Sequence, residues 1–257
     1  MCQLLGMNCN VPTDICFSFE GFSARGGQTD VHQDGWGIAF FEGVGCRIFL
    51  DSKPAVASPV ADLVRCYPIH STNVIAHIRK ATQGEIALEN CHPFCRELWG
   101  RYWVFAHNGN LEDFAPESGE FYKPVGKTDS EQAFCLILEK LRSSFPQNKP
   151  VVAELYAVLN EITQTLAAKG IFNYLLSDGE HLFAHCSTNL HYIVRQAPFA
   201  SAHSIDRDIS VDFRELTNEG DRVAVIATLP LTDNEVWTQI QPGNLLVFQD
   251  GWPADRF

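Results

Sequence analysis

The chain has 257 residues, 46% of them hydrophobic and 19% charged, enough to bury a sizeable core as one domain spanning residues 1–257. Its 31 acidic and 19 basic residues give a formal charge of -12, and no Lys/Arg-rich block offers a surface for phosphates, so nucleic acid is not an expected partner. No apolar run approaches the ~18 residues of a membrane span, and the first ten residues lack the basic and apolar regions of a signal peptide. The expectation is a cytoplasmic protein that does not engage a membrane.

Taken in chain order, Cys2-Gln3-Leu4-Leu5-Gly6-Met7 reads as an apolar strand that begins almost at the initiator. Residues 12 to 25 place Ile15, Phe19 and Phe22 at helical spacing and stop at Gly26-Gly27, a natural helix end. Trp36 to Phe41 and Cys46 to Leu50, separated by Glu42-Gly43-Val44-Gly45, predict a β-hairpin, and strands follow at 73–79 and 102–107. Thr128-Asp129-Ser130-Glu131 has the form of a capping box and opens a helix carrying Phe134, Ile137, Leu138 and Leu141. A second amphipathic helix runs from about 150 to Gly170 with Val152, Leu155, Leu159, Ile162 and Leu166 on one stripe. Strands return at Tyr174–Leu176, Leu182–Ala184, Tyr192–Val194, Val223–Ala227 and Leu245–Phe248. Helices with antiparallel hairpins point to an α+β layered domain whose sheets are buried between helices.

Nine cysteines, at 2, 9, 16, 46, 66, 91, 95, 135 and 186, are odd in number and scattered, which favours free thiols over a disulfide framework. Cys91, His92 and Cys95 could offer two or three zinc ligands, but no second pair of matching spacing completes a site. Neither a metal nor a cofactor is expected.

The second position carries the first chemical signal. A small residue after Met1 allows removal of the methionine, and Cys2 would then hold both a thiol and a free α-amine. An α-amine titrates near ~7.7 to 8.0 and a thiol near ~8.5, so the amine can take the thiol proton at little cost. Nucleophile and base would sit on one residue.

Five further segments follow in order: His77-Ile78-Arg79-Lys80-Ala81-Thr82, Asn90-Cys91-His92-Pro93-Phe94, Ala106-His107-Asn108-Gly109-Asn110-Leu111, Thr128-Asp129-Ser130-Glu131 and, more loosely, Phe172 to Gly179. With Cys2 at the head of a strand, they resemble the class II glutamine amidotransferases of the N-terminal-nucleophile hydrolase superfamily. The resemblance implies a four-layer αββα sandwich of two antiparallel sheets flanked by helices, and cleavage of a γ-glutamyl amide. It implies Cys2 as nucleophile, with Asn108 and Gly109 as the oxyanion hole. It further implies Arg79 on the substrate α-carboxylate, Asp129 on the α-ammonium, and His92 and Thr82 on the pocket wall. Each has a plain alternative: Asn-Gly is also the strongest short hairpin signal, an arginine can be a surface ion pair, an aspartate in a helix's first turn complements the macrodipole, and a histidine can be structural. The His32 to Gly37 segment falls where the family carries a glycine-rich stretch, and is expected to support the substrate loop.

Two departures matter. Lys80 stands where several amidotransferases place tryptophan, and the sequence ends at Phe257 with no room for a synthase domain. The length and motifs look like the small stand-alone members of the YafJ type. The expected substrate is a small molecule, glutamine or a γ-glutamyl compound, with water as acceptor. Two alternatives stand beside this: a subunit delivering ammonia to a separate synthase partner protein, and a γ-glutamyl-binding module without chemistry.

Overall fold

The computed structural model describes residues 2–81, 84–117 and 119–254. In chain order the elements are β1 (Gln3–Thr13), α1 (Cys16–Ala24), β2 (Trp36–Glu42), β3 (Gly45–Asp51), α2 (Pro59–Cys66), β4 (Ser71–Ile78), β5 (Phe94–Leu98), β6 (Arg101–Leu111), α3 (Asp129–Ser144) and α4 (Val152–Ala167). The remainder is strand: β7 (Gly170–Ser177), β8 (Leu182–His185), β9 (His191–Gln196), β10 (Ser201–His203), β11 (Ser210–Asp212), β12 (Arg222–Ala227), β13 (Thr238–Gln239), β14 (Leu245–Gln249) and β15 (Trp252–Pro253).

Two antiparallel sheets face each other, one in the order β13-β9-β12-β1-β4-β2-β3 and the other β15-β14-β8-β7-β6-β5. Three apolar clusters fill the spaces between layers, and strand alternation sorts side chains among them. Leu5 and Met7 of β1 join Phe19 and Phe22 of α1 and Val64 of α2 on the outer face of the first sheet. Phe105 and Phe172 meet Phe134 of α3 and Leu159 of α4 outside the second. Leu4, Ile75, Ala106 and Leu175 lie between the sheets. The result is the αββα sandwich.

Local details refine the sequence expectations. The helix expected from residue 12 begins only at Cys16, because Val11–Thr13 continue β1. Helix α2 was not foreseen, although Ser58 caps it by accepting from Ala61 N and Pro59 opens its first turn. Strand β5, next to the His92-Pro93 pair, was also missed. At α3 the capping box is half formed: Thr128 Oγ1 accepts from Glu131 N at 3.2 Å, while the Glu131 carboxylate takes Gly126 N and Arg96 instead. Asn108-Gly109 is no hairpin turn; His107 to Asn110 pair in register with Tyr174 to Ile171 of β7.

Candidate active site

The register of β1 and β4 sets the first pair of site residues. Gln3 lies opposite Ile78 and Leu4 opposite His77, so the next step brings Cys2 level with Arg79. Leu4 points between the sheets, and a period of two sends Cys2 the same way. The half-buried Cys2 Sγ accepts from Lys80 N at 3.2 Å and lies 3.3 Å from Lys80 O. Burial pushes the thiol up, partly countered by the Lys80 backbone and the Arg79 charge.

Arg79 is itself buried, 3% exposed. Its guanidinium donates to Glu85 O at 3.1 Å and Gly84 O at 3.4 Å. The His32 to Gly37 segment brackets its backbone: Arg79 N donates to Gly35 O, Asp34 N to Arg79 O, and Ala81 N to the Asp34 carboxylate. Gly35 has φ +108°, and a Cβ there would lie 2.6 Å from Cys91 Sγ, so only glycine lets the two loops approach this closely. Thr82 lies outside the described residues.

The opposite wall comes from the second sheet. Strand β5 pairs with β6 only as far as Phe94 opposite Phe105, leaving the later edge of β6 open. Leu111 N points out of that edge and donates to Asp129 Oδ2 at 2.8 Å. Alternate N–H groups on a strand point the same way, so Gly109 N–H is aimed out of the same edge. A Cβ at Gly109 would fall 1.7 Å from Ile171 O. Asn108 is fully buried; its Nδ2 is 3.4 Å from Thr228 Oγ1, and its Oδ1 has no partner among the described residues. Thr228 Oγ1 already accepts from Leu4 N. If the amide turns over, the Thr228 hydroxyl donates to Oδ1 and the Asn108 NH2 becomes free to donate.

Asp129, 6% exposed at the first turn of α3, accepts Ser130 N on its other oxygen. Cys2, Arg79, Lys80, His92, His107, Gly109, Thr128, Asp129 and Ser130 enclose a cavity of about 20 Å³, room for roughly one water. A larger cavity of about 520 Å³ lies at the other end of the sheets around Asn73, Arg101 and Asp178. The thiol on its wall, Cys9, is pushed up to about 12 by burial, which leaves it protonated and inert.

Two buried histidines, His92 and His107, line the small cavity, and a third, His77, lies behind His92; the sequence assigned no role to His77 or His107. His92 packs against His77 with tilted rings whose centroids are 4.2 Å apart, and against Phe94 at 4.4 Å. The ring nitrogens of His92 have no partner among the described residues, and His77 lies against the backbone of His107. Burial, reinforced by neighbouring positive groups, lowers His77 to about 3 and holds His92 well below its usual range. His107 bonds Ser130 Oγ at 2.8 Å and Ile171 O at 3.0 Å; the carbonyl can only accept, so Nε2 carries the proton. The signal was the period of two that separates His77 from Arg79 and His107 from Gly109. Cys91, His92 and Cys95 turn to three different neighbours: the Asp51 and Ala87 carbonyls, the His77 ring, and Cys46.

The chain belongs to the class-II glutamine amidotransferases, whose family model matches residues 1–256. It is 55% identical over 251 residues to a Haemophilus influenzae protein carrying the provisional name glutamine amidotransferase, covering 98% of this chain and 85% of that one. To Escherichia coli YafJ, provisionally named in the same way, it is 54% identical over 249 residues, 96% and 97% of the two chains. Among solved structures, a Pseudomonas aeruginosa protein provisionally described as a glutamine amidotransferase superposes with TM-score 0.80 at 46% identity, over 99% of this chain and 100% of that one. The Bacillus subtilis glutamine phosphoribosylpyrophosphate amidotransferase, at 16% identity and TM-score 0.57, shares the fold over 99% of this chain and 49% of its own.

Proposed function

We propose that the protein hydrolyses the γ-amide of glutamine or of a γ-glutamyl compound, with Cys2 as N-terminal nucleophile after loss of Met1. The observation that carries this reading is the convergence of a strand-end thiol, a buried arginine, a strand-edge glycine N–H and a buried aspartate on one cavity. Arg79 holds the substrate α-carboxylate and Asp129 the α-ammonium, which reads both charges of a free amino-acid end. Room for the substrate requires the Gly84-Glu85 backbone to withdraw, and the Arg79 donors then pass from those carbonyls to the carboxylate.

The Cys2 thiol gives its proton to its own α-amine, and the thiolate attacks the amide carbon. Asn108 Nδ2 and Gly109 N–H donate to the oxyanion, each contributing about 2.7 to 4 kcal/mol to the barrier reduction. The ammonium returns the proton to the leaving nitrogen as the C–N bond breaks. Water then attacks the thioester, its proton passing to the amine, and the γ-carboxylate leaves as the thiol is restored. A buried thiol suits this route, because the proton moves to an adjacent base and no free thiolate has to be held in the resting site.

Cys2→Ala tests the reading. It abolishes turnover of glutamine and γ-glutamyl amides while leaving ligand binding, measured calorimetrically, within a few-fold. Residual turnover at wild-type rates would remove Cys2 from the mechanism. Glutaminase activity that appears only with an added synthase would favour the ammonia-delivering subunit.

A further inference from the structure

Strand β3 is one edge of the first sheet and β5 is one edge of the second. Each carries a half-buried cysteine, Cys46 opposite Phe41 and Cys95 opposite Val104. Phe41 and Val104 both belong to the core between the sheets, and the two cysteines pack against that same core. Both thiols therefore turn into the same margin of the sandwich, where each interacts with the other. Cys16 senses the thiol of Cys66, exposed on α2, but burial and Asp14 weigh more on it, and Cys9, Cys91, Cys135 and Cys186 are buried.

We propose that Cys46 and Cys95 are a redox modification site, closing to a reversible disulfide that joins the two sheets when the protein meets a low-molecular-weight disulfide. The pair is chemically asymmetric. Burial pushes both thiols up, and the Arg96 charge opposes this at Cys95 alone. Cys95 is thus the attacking thiolate and Cys46 the resolving thiol. Cys95 loses its proton and attacks one sulfur of the reagent, expelling one thiol and leaving a mixed disulfide. Cys46 then loses its proton and attacks the Cys95 sulfur, expelling the second thiol. Two protein thiols are oxidised and one disulfide reagent is reduced to two thiols, so the exchange balances without another oxidant.

The cross-link closes a loop containing β4, α2 and the His92-Pro93 segment, which restricts the unfolded chain and raises thermal stability. It ties down β5 directly after His92, a wall of the Cys2 cavity.

The test uses the full reduced chain and bis(2-hydroxyethyl) disulfide, which carries no γ-glutamyl group and so cannot act as a substrate analogue. After incubation and acid quench, peptide mass spectrometry without reductant should show the peptides of Cys46 and Cys95 joined, with two hydrogens lost. The oxidised protein should melt several degrees higher, and dithiothreitol should reverse both changes. In Cys46→Ser the reaction should stop at a stable mixed disulfide on Cys95, with no rise in melting temperature. Separate reagent adducts on both cysteines, an unmodified pair while Cys66 reacts, or the same rise in Cys46→Ser would each overturn the proposal.

Discussion

Replacing Gly109 by alanine sets a methyl group against the neighbouring strand. The new Cβ would lie 1.7 Å from Ile171 O and 2.6 Å from His107 Nε2, whereas ordinary contacts begin at 3.4 Å. To relieve this the Ile171 carbonyl must withdraw by a further 1.7 Å, enough to break its 3.0 Å bond from His107 and the adjacent rung of the β6–β7 ladder. Two buried polar groups left unsatisfied at about 1 to 3 kcal/mol each give a loss of about 4 kcal/mol, a large share of a typical domain's stability. For a chain of this size that lowers the melting temperature by about 10 °C. The same displacement swings the Gly109 N–H off the oxyanion, so kcat should fall about 10²- to 10³-fold at a temperature where the variant is still folded. Calorimetry and steady-state kinetics on one preparation read both effects. An alanine variant that melts with the wild type and keeps its kcat would refute the close β6–β7 approach and the oxyanion role together.

Arg79→Ala should raise KM about 100-fold with a much smaller change in kcat, since it removes about 3 kcal/mol of charge-assisted bonding to a group that does not react; an unchanged KM would take Arg79 off the substrate. His77, lowered to about 3 in the fold, resists a proton that the unfolded chain accepts below about 6.5. Its contribution to stability is therefore present above pH ~6.5 and is lost as pH falls towards 3, amounting to about 2 kcal/mol by pH 5. Urea midpoints measured from pH 8 to 4.5 should fall, and His77→Gln should flatten the curve; parallel curves would refute a neutral, buried His77. Against the opposing effect of burial, bonds from His181 and the charge of Lys149 hold the Asp178 carboxylate below the usual carboxylate range. Lys149→Ala should cost about 3 kcal/mol, because it strands a buried charge; equal denaturant midpoints would mean that the His181 bonds suffice alone.

Much of the scaffold was legible because its elements advertise themselves by period. The β2–β3 hairpin shows two apolar runs on either side of Gly43, and α4 carries its stripe from Leu155 to Leu166. Helix α2 was missed because only Ala61 and Val64 are buried along it, too short a face to stand out without attention to its Ser-Pro start. The Asn108-Gly109 pair shows the opposite failure. Local propensity favours a turn, yet pairing with β7 on one side and the Asp129 contact at Leu111 hold it extended, forces that arise far along the chain. The same distance hid the partners of Cys46 and Cys95, which meet only when the two sheets face each other. Of the residues named from motifs, Cys2, Arg79, His92, Gly109 and Asp129 line one cavity, whereas the Lys80 backbone contact to Cys2 and the packing of His77 against His92 are not visible in a linear string.

Intact mass of the native-start protein, before and after incubation with the glutamine-analogue electrophile 6-diazo-5-oxo-norleucine, bears most directly on the claim that Cys2 is an N-terminal nucleophile in a glutamyl pocket. The mechanism predicts loss of Met1 and a single covalent adduct that peptide mapping places on Cys2. A processed protein that remains unlabelled, or an adduct on any other cysteine, would contradict it.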